Sequence, residues 1–193
     1  DERMYYYVPN SEIGSTPPSC SVCFVPADVV NRDRSQIQIF WSSGAKSLVI
    51  PAVRFSESLF AGYVFHEFGH GLRHSIQGLP NSNDPLHAEE EVEMHSLGAF
   101  VMNEASNGRF FATIGSILER EQPRNYKEAI ASLKAEDMLS LDSALDAGVN
   151  RLETMYLCTE YYFVTAFLFI DNNGGTSSEK VECYRWLVNW TAH

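Results

Sequence analysis

The order of hydrophobic patterns along the chain limits its fold more than any single residue does. "SQIQIFW" (35–41) alternates polar and apolar residues, as a half-buried strand does, and "SLVIPAV" (47–53) reads as a second strand after the turn "SSGAK". Pro51 has no amide hydrogen, which predicts an edge or bulged position for that second strand. From Ser56 onward the pattern turns helical and never turns back. Ser56 fits an N-cap and Glu57 the first turn of a helix running to about Gln77, where Gly78 and Pro80 end it. Further helices are predicted at about 86–106, 109–121, 126–135, 137–147, 149–171 and 178–190. Residues 1–30 are rich in turn formers and read as an irregular arm, with a short strand at "MYYYV". The expected class is α+β: a small N-terminal sheet and one helix, then an all-helical remainder. It forms one domain over 1–193, with a strand-bearing lobe (1–80) and a helical lobe (81–193).

The chain has 193 residues, 45% of them hydrophobic, enough for a real core. A formal net charge of -11 argues against nucleic acid and anionic membranes as partners, since both reward a basic surface. The longest apolar run, "YYFVTAFLFI" (161–170), is about half of the ~20 residues a membrane span needs and reads as a buried helix. No signal peptide is visible, and the start at Asp1 reads as a mature form or an excised domain. Cys20, Cys23, Cys158 and Cys183 fit one or two disulfides in an oxidising, extracellular compartment. Buried free thiols, or a second metal site begun by the Cys20–Cys23 pair, are the alternatives.

The chemistry is concentrated in "HEFGH" (66–70), inside the first predicted helix. Residues four apart share a helix face, so His66 and His70 can present ring nitrogens to one ion. Glu67 then stands beside that ion, placed to take a proton from bound water. Two imidazoles plus such a carboxylate are what a hydrolytic zinc site needs. Gly69 and Gly71 are poor helix formers and predict that something packs close to this helix.

A hydrolytic zinc needs a third protein ligand and one open position. A third histidine at the spacing HExxHxxGxxH would fall on Ile76, so that arrangement is excluded. His74 lies a turn further along the same helix, too far to share the ion, and reads as a supporting or surface residue. The glutamates of "HAEEEVEMHSLGAF" (87–100) remain. With Glu90 at 0° and about 100° per residue, Glu89 and Glu93 fall on a polar face. Glu91 falls amid Gly98, Met102 and His95 on the buried side, where a carboxylate must be paired or bound to a metal. Glu91 is the expected third ligand, with Glu90, at the edge of the apolar face, as the alternative.

This set resembles the gluzincin clan of zinc metallopeptidases, and HEFGH is similar to the form found in anthrax-lethal-factor-like peptidases. The resemblance covers about residues 47–106 and implies a zincin-like fold. It implies His66, His70 and Glu91 as zinc ligands, Glu67 as general base, and "SLVIPAV" as the edge strand that holds a peptide substrate. His95 is a departure, since a carboxylate is usual one turn past the third ligand. The expected activity is that of a zinc-dependent endopeptidase, a monomer acting on protein or peptide, either secreted or delivered as a toxin domain. Tyr161, with Tyr156 and Tyr162, is a candidate second stabiliser of the tetrahedral oxyanion. The rival is a non-catalytic zinc-containing binding or toxin module, which would have no use for Glu67.

Overall fold

The alternating segments form a three-stranded sheet. The computed structural model describes residues 21–25, 39–42, 47–51, 56–77, 85–147 and 154–191. Strands β1 (Ser21–Val25), β2 (Phe40–Ser42) and β3 (Ser47–Pro51) lie in the order β1-β3-β2, with β1 parallel and β2 antiparallel to β3. Two expectations are corrected. The strand at 47–53 is central, not an edge; Pro51 is its last residue, opposite Val25, so the missing amide falls where the ladder ends. "SVCFV" is a strand rather than part of an irregular arm. It is short and framed by turn formers, and its partner is non-local, so the local pattern does not reveal it. The proposed strand at "MYYYV" and residues 35–38 lie outside the described residues.

The predicted helices are present with small shifts. They are α1 (Glu57–Gln77), α2 (Pro85–Ala105), α3 (Arg109–Glu121), α4 (Tyr126–Ala131), α5 (Ala135–Ala144), α6 (Thr154–Asn172) and α7 (Ser177–Thr191). Ser56 caps α1: its hydroxyl oxygen accepts from the Leu59 amide at 3.2 Å. Helix α3 buries Phe110, Ile114, Ile117 and Leu118, the i, i+4, i+7, i+8 stripe that its sequence spells out. The apolar run of α6 is buried on nearly every side, from Tyr161 and Val164 against α3 and α5 to Phe163, Phe167 and Ile170 against α7. The protein is thus mostly helical with a small sheet, an α+β chain. Among the described residues no helix is long and apolar enough to cross a membrane.

Helices α1 and α2 come from either side of residue 80 and pack at backbone distance. A Cβ added to Gly98 would lie 3.0 Å from the Gly62 carbonyl oxygen, and one added to Gly62 would lie 3.0 Å from that of Gly98. The glycines of the motif meet what their presence predicted: Gly69 lies under Met94, and a Cβ on Gly71 would come within 2.6 Å of the Trp41 ring. Trp41, on edge strand β2, therefore presses the sheet onto the histidine-bearing helix. Cys183 is a free, fully buried thiol, pushed up to about 12 by burial. Two disulfides would need it bridged, so at most one forms. Cys20 and the side chains of Cys23 and Cys158 lie outside the described residues.

Candidate metal centre

The close approach of α1 and α2 gathers the residues that the sequence singled out. His66 and His70 point the same way, with their Nε2 atoms 3.3 Å apart. Glu91 completes the group: its Oε2 is 3.8 Å from His66 Nε2 and its Oε1 is 3.6 Å from His70 Nε2. Ligands about 2.0–2.1 Å from a tetrahedral ion stand roughly 3.3 Å from one another. The two imidazole nitrogens and a Glu91 oxygen all lie within 4.8 Å of one another, so His66, His70 and Glu91 form a possible cation-binding set.

The far side of each ring fixes which nitrogen is offered. His70 Nδ1 lies 2.7 Å from Glu90 Oε1. An ionised carboxylate only accepts, so Nδ1 carries the proton and Nε2 is left with its lone pair. His66 is tied through a hydrogen bond to the Met94 backbone. Two lone pairs facing each other at 3.3 Å repel unless a cation, either a proton or a metal ion, lies between them. The donor set thus fits a metal.

Glu90 and Glu91 divide the two roles that the helical wheel left open. Glu91 lies at the centre of the buried arc of α2 and faces both histidines. Glu90 lies at the edge of that arc yet is only 2% exposed, because α1 covers it. Besides His70 it meets His74 Nε2 at 2.8 Å and Arg73 Nε at 4.0 Å. His74 is accordingly a supporting residue. Glu89 and Glu93 are exposed, and Glu93 pairs with Arg73.

The charges respond to this crowding. Burial, followed by the nearby His95 and His70, holds His66 well below its ordinary value. Burial also pulls on His70, but Glu91, Glu90 and Glu67 outweigh it and raise the imidazole to about 9. Glu91 reverses the same way: burial would raise it, yet His70, His95 and His87 hold it below the carboxylate range. Glu67 goes up to about 7, driven by burial against the opposing Trp41 amide and His70. The Trp41 N–H donates to Glu67 Oε2 at 3.0 Å, while Glu67 Oε1 stands 4.0 Å from His66 Nε2. The carboxylate beside the cation set is therefore held by the sheet edge and bonds neither histidine directly.

The tyrosines are distributed differently from the expectation. Tyr161 is 1% exposed, and its hydroxyl donates to Asp142 Oδ1 at 2.6 Å inside the helical core, so it is not among the residues gathered at the cation set. Its neighbour Tyr162 packs edge-on against Trp190, and the Tyr156 side chain lies outside the described residues. Tyr184 of α7 lies on the side of His95, ring centroids 6.1 Å apart, and its hydroxyl is pushed up by burial and by the charge of Glu91. Nothing in "ECYRWL" announces that position. Glu160 was missed as well, although it left a signal: a lone carboxylate heading the apolar run of α6. It is buried, with Oε2 2.8 Å from His95 Nδ1. Compared with known proteins, the chain matches no family model, no curated protein and no solved structure.

Proposed function

We propose that the protein is a zinc-dependent endopeptidase with a zincin-like arrangement of sheet edge, active helix and ligand helix. The observation that carries this reading is a division of labour. His66, His70 and Glu91 converge at metal-sharing distances, while Glu67 stands beside them, bonded to the Trp41 amide. A purely structural metal site would have no use for that fourth group.

His66, His70 and Glu91 would hold the ion, with Glu90 fixing the His70 ring. When bound, zinc supplies Lewis acidity, lowering the pKa of water and polarising a carbonyl. Glu67 would take the proton of the attacking water and return it to the departing amine. Tyr184 stays protonated and can donate to the oxygen that becomes negative in the transition state. It replaces Tyr161 in that role. Among the described residues no strand pairs with the outer side of β2, which suits an extended peptide added as a further strand, the role expected earlier of 47–53.

The test is Glu67→Gln. Metal content by elemental analysis should be unchanged, and hydrolysis of a quenched-fluorescence peptide library should fall by at least ~100-fold. Turnover near that of the native protein, with the metal retained, would remove Glu67 from the reaction, and a native, metal-loaded protein that cleaves no peptide of the library would overturn the endopeptidase reading.

A further inference from the structure

Gly71 stands inside α1, one turn past Glu67, where alanine would make a better helix. Its backbone gives no reason for glycine, since it is not among the residues with positive φ. The reason lies outside the helix. A Cβ at 71 would come within 2.6 Å of Cδ2 and Cε3 of Trp41 and 2.8 Å of Cε2. Cδ2 is a fusion atom with ring neighbours on every in-plane side, so only the face of the indole can be approached this closely. The ring therefore lies on bare helix backbone.

Trp41 meets α1 a second time. Its N–H donates to Glu67 Oε2 at 3.0 Å. Residues 67 and 71 are four apart and share one helix face, so one strand residue holds that face at two points. The two points constrain different directions. In a strand the amide lies in the plane of the sheet and the side chain stands out of it. Either contact alone would leave β2 free to turn about its own axis; the two together do not. Strand β2 has little else to fix it: it is three residues long and, among the described residues, pairs with β3 alone, Trp41 opposite Leu48. The consequence falls on Glu67. With Oε2 committed to the amide, Oε1 is the oxygen turned to the histidines, 4.0 Å from His66 Nε2.

We propose that Gly71 and Trp41 form a seat that aims the Glu67 carboxylate: the bare backbone at 71 admits the indole, the indole sets β2, and the β2 amide selects which carboxylate oxygen faces the centre. Both are positioning residues that act through Glu67. The inference rests on Glu67 being the general base of the proposed hydrolysis.

One measurement needs neither metal nor substrate. The chain has three tryptophans, so selective 15N-tryptophan labelling gives three backbone amide signals, and the one lost in Trp41→Phe belongs to Trp41. That amide should be protected from exchange in the native protein and lose at least ~10-fold of its protection in Gly71→Ala. A second measurement reads the reaction on a peptide that the native protein cleaves. In zinc-loaded Gly71→Ala, kcat should fall about 10- to 100-fold, with KM and zinc affinity near native. In the Glu67→Gln background the same substitution should change kcat by less than about 2-fold, because a residue acting through the base has nothing to act on once the base is gone. Trp41→Leu unseats the strand from the other side; it serves where Gly71→Ala fails to fold and should give the same split between kcat and KM. Trp41→Phe keeps a flat ring and should recover most of the rate. A fully protected Trp41 amide or a native kcat in Gly71→Ala overturns the proposal. So does an equal loss of kcat in the Glu67→Gln background, which would reduce the contact to packing. A native, zinc-loaded protein that cleaves no peptide overturns the endopeptidase reading instead, and the amide measurement then decides the seat by itself.

Discussion

Asp137 and Asp142 in the helical bundle and Glu91 between α1 and α2 meet their surroundings in opposite ways. In the bundle of α3, α5 and α6, Asp142 accepts the Tyr161 hydroxyl at 2.6 Å, and Asp137 accepts from Arg120 at 2.8 Å and from the Lys134 amide at 3.0 Å. Each acid there is met at hydrogen-bond length. Between α1 and α2, by contrast, the Glu91 carboxylate stands 3.6–3.9 Å from the Nε2 atoms of His66, His70, His87 and His95, beyond hydrogen-bond length from all four. The outer ends of His70 and His95 are clamped at 2.7 and 2.8 Å, so the inner gap does not come from loose rings. Polar groups buried for architecture close on one another, whereas these are held apart by about the space of an ion.

The sharpest way to break this contrast is to remove the inner donors. The His66→Ala/His70→Ala double variant should bind no measurable zinc, by elemental analysis after gel filtration. Full occupancy would show that the gap is not the metal site. Next in size is removal of the metal from the native protein. A ligand present at a thousand times its Kd adds about 4 kcal/mol of stability. Chelation should lower Tm accordingly and raise amide exchange in α1 and α2, while the α3–α6 bundle keeps its protection. Uniform loss of protection would deny that the two regions differ.

The protonation of the metal-free centre gives a smaller effect with a definite sign. His70 has an ordinary value of 6.5 and goes to about 9 in the folded chain, so the folded state holds its proton more tightly. The stability this adds is fully present below 6.5 and is lost as pH rises through 9. His95, also raised, works in the same direction, and Glu67 does so up to about 7. His66, lowered, acts only below 6.5, and Glu91 only below 4.5. In chelator the protein should therefore lose on the order of 2 kcal/mol between pH 6.5 and 9. Metal affinity should rise over the same range, because the ion competes with that proton. Thermal melts at both ends of the range check this, and a metal-free Tm that rises with pH contradicts it. In the bundle, Tyr161→Phe should cost about 1–3 kcal/mol by leaving Asp142 short of a donor, with zinc affinity unchanged. Smallest of all, Glu89→Ala and Glu93→Ala should stay within about ±0.5 kcal/mol and keep the metal.

What could be read from the sequence followed from short-range periodicity. The helix boundaries, the shared face of His66 and His70, the central place of Glu91 on the buried arc and the exposure of Glu89 and Glu93 all depend on residues within a turn or two of one another. The parts that stayed hidden depend on contacts between distant segments. Strand β1 pairs with β3 across a long gap, the Trp41 amide turns toward Glu67, Glu160 reaches His95 from α6, and Tyr184 arrives from the last helix. Tyr161 is a candidate in the sequence as one of three tyrosines of the late helix, whereas Asp142 decides where its hydroxyl goes. The burial of Glu90 beneath α1 could not be seen from α2 alone, because a wheel shows one helix and not its neighbour.

The facing glycines 62 and 98 act as a filter on sequence change. Each leaves room for the other's carbonyl, and a methyl at either would arrive 3.0 Å from the opposing backbone, where no rotamer can yield. A descendant that exchanged either glycine for alanine would keep HEFGH and Glu91 letter for letter, while its two helices had to move apart by a few tenths of an ångström beside the imidazoles and the carboxylate. The approach of α1 to α2 thus depends on two missing side chains, and the histidine motif alone would overcount the chains in which these two helices can meet so closely.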